Sequence, residues 1–115
     1  MADQLRMAFE GGDAEASRDQ QVAEYLRLTR EVMPQLARAD RRDWPVSADH
    51  CFQRIVLDNI CGGTWYESLR RPAYKHMTSA QANAAVQLCR DIIDGRADLA
   101  ELNAQSLIWR GKRVE

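Results

Sequence analysis

From Ser17 onward, apolar residues recur at helical spacing, and polar residues mark where each run begins and stops. Val22, Tyr25, Leu26, Thr29, Val32, Met33 and Leu36 follow the i, i+3, i+4, i+7 rhythm of one buried helix face. Ser17 and Gln20 ahead of them have the spacing of a capping box, in which each side chain answers a free backbone N–H. Gly11 and Gly12 predict a break before that helix, so residues 1–16 read as a mobile acidic tail or a short helix that docks on a partner. Pro34 falls inside the apolar pattern and predicts a kink, or a stop near Val32.

The same rhythm repeats three times further on. Ser47 is a candidate cap for a helix with Phe52, Ile55, Val56 and Ile60 on one face and His50, Arg54 and Asp58 at i, i+4 and i+8 on another. Gly62 and Gly63 supply its left-handed stop. Thr64 and Glu67 form a second capping box, opening a two-turn helix that Pro72 must close. Thr78 and Gln81 form a third, before a helix with Ala82, Ala85, Val86, Cys89, Ile92 and Ile93 inward and Gly95 at its end. The last helix is predicted from about Asp98 to Trp109, with Leu99, Leu102, Ser106 and Trp109 on one side. No period-two strand pattern occurs. The expectation is an all-α single compact domain of four to five short helices over residues 17–115. Its predicted core is Val22, Leu26, Val32, Phe52, Ile55, Val56, Ile60, Trp65, Leu69, Val86, Cys89, Ile92, Leu99 and Leu102.

Composition narrows the function classes. A chain of 115 residues builds one core, and 45% hydrophobic with 29% charged residues is ordinary for a globular domain. A net charge of −1 argues against whole-surface binding to nucleic acid and leaves room for a local patch. The first 40 residues are the acidic part, and the remainder is mildly basic. All the basic residues except Lys75 and Lys112 are arginine, the side chain suited to bidentate contact with carboxylate or phosphate and to stacking on rings. No apolar run has the roughly 20 residues of a membrane span, and no secretion signal opens the chain, so a cytoplasmic protein is expected. Three cysteines in that setting are expected as reduced thiols.

The candidate chemistry is sparse. His50, Cys51 and Cys61 lack the paired spacing that zinc requires, and no cofactor motif is present. Cys61 with His76 would be the pair for a cysteine-dependent enzyme, although no cysteine-enzyme signature surrounds them. Gly62, Gly63 and Thr64 lead into a helix amino terminus, which favours anions, but the lysine and strand of a Walker loop are missing. Basic and aromatic residues gather at element ends: Trp44, Arg70, Arg71, Tyr74, Lys75, Arg110, Lys112 and Arg113. These are the candidate partner- or nucleic-acid-binding residues. The helices over 79–94 and 98–110 have the order of a helix-turn-helix, although Asp91, Asp94, Asp98 and Glu101 flank its turn.

Part of the chain resembles small bacterial proteins labelled as GNAT-type N-acetyltransferases. The resemblance covers about the last 65 residues and rests on His50 to Arg54, Asp58, Gly62 to Trp65, Arg71 to Ala73, Gln81, Leu102, Asn103, Ser106, Leu107 and Trp109 to Lys112. The acetyltransferase fold is mixed α/β and carries a Gln/Arg-x-x-Gly-x-Gly/Ala loop, and neither is present in this sequence. The resemblance therefore implies an appended segment or partner rather than the transferase, and it brings no catalytic or cofactor residues. The leading expectation is a non-enzymatic binding or regulatory module of bacterial or phage type that acts on a protein partner. A nucleic-acid-associated regulator is the alternative, and the 17–38 helix is a possible homodimer face if Tyr25, Thr29 and Val32 lie exposed.

Overall fold

The structure is a computed structural model that describes residues 10–41 and 43–112, with side chains described from Ser17 onward. It is all-α, with no strand among the described residues, as the periodicity predicts. α1 (Glu10–Arg27) passes through a π-helical turn (Leu28–Val32) into α2 (Met33–Ala39). α3 (Asp49–Cys61), a 3-10 turn (Trp65–Glu67), the single-turn α4 (Ala73–His76), α5 (Ser79–Ile93) and α6 (Leu99–Trp109) follow.

The first helix differs from the expectation at both ends. Its backbone is already helical at Glu10 and runs through Gly11, Gly12 and Ser17, so Ser17 is interior and caps nothing. The part of the predicted tail over 1–9 lies outside the described residues. Pro34 neither stops the helix nor interrupts its burial. The Met33 N–H bonds the Leu28 carbonyl five residues back, which widens the turn just ahead of the proline. A proline ring crowds the carbonyl four residues behind it and has no N–H to offer, and a wide turn accommodates both defects. Thr29 sits in this turn with no solvent exposure; its Oγ1 donates to the Tyr25 carbonyl at 2.9 Å and accepts from Gln53 Nε2 at 3.1 Å.

α3 lies at the centre, contacting the π turn, α2, α5, α6 and the 3-10 turn, while α1 lies along α5. Phe52, Ile55, Val56, Met33, Ala82, Ala85, Cys89 and Ile92 form the driest part of the core. Leu26, Val32, Ile60, Trp65 and Leu102, predicted as core, pack at its margin and are only partly buried. Tyr25, Leu28, Leu57 and Met77 are buried instead. Because Tyr25 and Thr29 are enclosed by the chain itself, the stripe considered for a homodimer is not an exposed surface. α6 docks chiefly on α3 rather than α5, so the predicted helix-turn-helix order does not become a helix-turn-helix pairing.

The stop signals hold. Gly62 and Gly95 adopt positive φ of 71° and 79° at the ends of α3 and α5. The Thr78–Gln81 capping box is formed in both directions, at 3.1 and 2.9 Å. Asp98 caps α6 through the Ala100 and Glu101 N–H groups. Besides Ser17, two further predicted caps are not formed. Ala48, not Ser47, takes the cap position of α3, and the Thr64 side chain caps nothing.

Candidate functional site: an arginine-lined cleft

The acceptor that Thr64 fails to supply comes from Asp58. This carboxylate has no solvent exposure, and its Oδ1 accepts from the Trp65 N–H at 3.0 Å. Arg110 grips it in bidentate fashion, Nε on Oδ2 at 2.7 Å and Nη2 on Oδ1 at 3.1 Å. Ser106 Oγ donates to Oδ2 at 2.7 Å and itself accepts from Arg54 at 2.7 Å. Arg54 also donates to Asn103 Oδ1 at 2.8 Å. The chain Arg54, Ser106, Asp58, Arg110 thus bolts α3, α6 and the 3-10 turn together, with four donors on one buried carboxylate. Its hydrogen bonds to Asp58 hold Arg110 charged and raise its pKa further above the ordinary value. Arg54 and Asp58, four residues apart on α3, do not pair with each other; both turn to α6 and the residue that follows it.

This network is one wall of a cleft of about 680 Å³. Arg30, Arg54, Arg71, Arg110 and His50 line it, and no carboxylate does. Tyr25, Trp65 and Tyr74 supply rings, and Leu26, Leu57, Pro72 and Ala73 supply apolar surface. The guanidinium groups rest on rings: Arg71 lies 5.2 Å from the centroids of both Trp65 and Tyr66, Arg110 lies 5.4 Å from Tyr66, and Arg30 lies 5.7 Å from Tyr74. Such contacts hold a cation in place without neutralising it. Arg110 has its carboxylate. Arg30, Arg54 and Arg71 have no carboxylate partner among the described residues.

Of the residues singled out from sequence, the cleft gathers Arg71, Tyr74 and Arg110. It does not take in the exposed Arg70 and Lys112. Lys75 borders a separate groove beside Arg18 and Asp19. Trp44 is half-buried, edge-on to Phe52 at 5.7 Å with Arg41 over its ring, and so is not the exposed anchor that a partner surface would need. Arg113 lies outside the described residues. Arg30, His50, Gln53, Arg54 and Trp65 were not among the candidates. The i, i+4 spacing of His50 and Arg54 on the polar face of α3 was the available signal. Arg30 had a similar one, four residues after Leu26.

The other chemistries find little support in the geometry. Burial, with Asp58 nearby, pushes the Cys61 thiol up, away from the thiolate a nucleophile needs, and no hydrogen bond joins it to His76 among the described residues. Burial likewise pushes the Cys89 thiol up to about 12. No group of three metal-ligating side chains occurs among the described residues, and no described helix is long and apolar enough to cross a membrane. The anion-friendly amino terminus after Gly62 and Gly63 is answered by the chain's own Asp58. No family model matches the chain, and no curated protein or solved structure matches it.

Proposed function

We propose that this chain is a non-enzymatic binding module and that the arginine-lined cleft is where it holds an anionic group of its partner. One observation carries the reading: among the described residues, three guanidinium groups without carboxylate partners, and a fourth paired from behind, line one concave surface to which no acidic residue contributes. Gathering like charges is unfavourable in an empty site, and an anion that bridges them relieves the repulsion. The volume lies within the roughly 300–1,000 Å³ of small-ligand pockets. The buried network fixes Arg54 and Arg110 before any ligand arrives, so little ordering remains to oppose binding. The π turn delivers Arg30 to the rim, and such turns are frequent at functional sites.

The test uses Arg30 and Arg71, which are both exposed and not part of the buried network. Calorimetric titration with sulfate, pyrophosphate and citrate at low salt is expected to show saturable binding. Arg30→Ala and Arg71→Ala are each expected to weaken it about tenfold, the loss of about one charge-assisted contact. Equal affinity in both variants and the parent would remove the cleft from consideration.

A further inference from the structure

Three features of the cleft restrict the anion. The first is charge. Arg30, Arg54 and Arg71 are each without a carboxylate partner among the described residues, so a single carboxylate leaves most of the local charge uncompensated. A di- or triphosphate brings several negative charges on a short chain, and its oxygens match the planar fork of a guanidinium. Arg54 already rests on two neutral acceptors, Ser106 Oγ and Asn103 Oδ1, which fix its direction while leaving its charge available.

The second feature is space. The cleft of about 680 Å³ is far larger than a phosphate chain alone requires. The third is the flat surface beside the charge. Trp65 and Tyr74 lie in the lining, each with a guanidinium over its ring, Arg71 at 5.2 Å and Arg30 at 5.7 Å. Rings and guanidinium planes are the surfaces on which nucleobases stack. His50 and Gln53 on α3 add polar edges next to them.

Resting on the anion-binding reading above, we propose that the cleft binds a free nucleoside di- or triphosphate. The phosphates lie against Arg30, Arg54 and Arg71, and the base lies on the Trp65 and Tyr74 side. The indole of Trp65 gives the site a fluorescence reporter.

The experiment titrates the full chain with ADP, ATP, GDP, inorganic pyrophosphate, adenosine, a short single-stranded oligonucleotide and an oligoglutamate peptide. Tryptophan emission and calorimetry are followed together. At least one nucleotide is expected to bind about tenfold more tightly than pyrophosphate, the contribution of one stacked base. Adenosine alone should bind at least tenfold more weakly than that nucleotide. Arg30→Ala and Arg71→Ala should each weaken nucleotide binding about tenfold while leaving the melting temperature unchanged, and Trp65→Phe, which keeps a ring, should retain more affinity than Trp65→Ala. Pyrophosphate binding as tightly as every nucleotide would overturn the base-binding part and leave the anion site standing. Preference for the oligonucleotide or the oligoglutamate over free nucleotide would overturn the ligand class, again leaving the anion site. No binding of any anion, at low salt, would overturn both.

Discussion

Asp58 is the residue on which the cleft depends. Its carboxylate is wholly buried and is satisfied by Arg110, Ser106 and the Trp65 N–H, and through Ser106 it orients Arg54. Removing one member of a buried charge pair strands the other, at a cost of about 3–5 kcal/mol. Asp58→Ala is therefore expected to lower stability by about that amount in a urea melt. Ser106→Ala, which removes a neutral link, should cost only about 1–3 kcal/mol. If Asp58→Ala left the urea midpoint where it was, the bolt between α3 and α6 would not be a stabilising feature. From sequence, Asp58 is only a polar position on the helix face it shares with His50 and Arg54, because spacing along one helix says nothing of α6 arriving opposite.

Among the elements, the join between α1 and α2 is the least regular. Thr29 satisfies the Tyr25 carbonyl inside the π turn and holds Gln53 of α3. Thr29→Val preserves shape and deletes both bonds; the expected loss is about 1–3 kcal/mol, read by thermal unfolding. A neutral Thr29→Val would show that the wide turn needs only Pro34. The pairing of α1 with α5 has an electrostatic component. Glu24 takes two hydrogen bonds from Arg27 on its own helix and one from Arg90 on α5. Arg27 foremost, with Arg90, lowers the Glu24 pKa from 4.5 to about 2. Its folded pKa lies below the unfolded value, so its contribution is complete above pH 4.5 and is lost as pH falls towards 2. The pair faces solvent, so the effect is small. Across that window the melting temperature of Glu24→Gln should fall less steeply than that of the parent, and parallel curves would count against the pair.

At the scale of the molecule, the cleft is a convergence of separate segments. The α1–π-turn region supplies Tyr25, Leu26 and Arg30, α3 supplies His50, Gln53 and Arg54, the 65–74 segment supplies Trp65, Arg71 and Tyr74, and Arg110 follows α6. A ligand that bridges them binds only the folded chain and stabilises it by about 2.7 kcal/mol at one hundred times its Kd. A rise in melting temperature with pyrophosphate or nucleotide, reversed by high salt, is the expected readout. No rise at saturating ligand would contradict a site built from the folded arrangement.

The main helices, their glycine stops and half of the buried hydrophobic core were legible in the sequence. Local geometry dictates them: a 3.6-residue period, a positive-φ glycine such as Gly62, and a reciprocal cap such as Thr78 with Gln81 act within a few residues of chain. Local rules also erred where longer-range contacts prevailed. Pro34 announced a kink or a stop, and the helix continues through a π turn without stopping; Thr64 announced a cap, and Asp58 takes the Trp65 N–H at that turn instead. The cleft itself was only hinted at, by Arg71, Tyr74, Arg110 and the polar face of α3. Whether an arginine ends in solvent, on a buried carboxylate or around a shared cavity depends on which elements meet it. That is decided by packing between residues about 50 positions apart, such as Arg110 and Asp58 with 52 between their numbers.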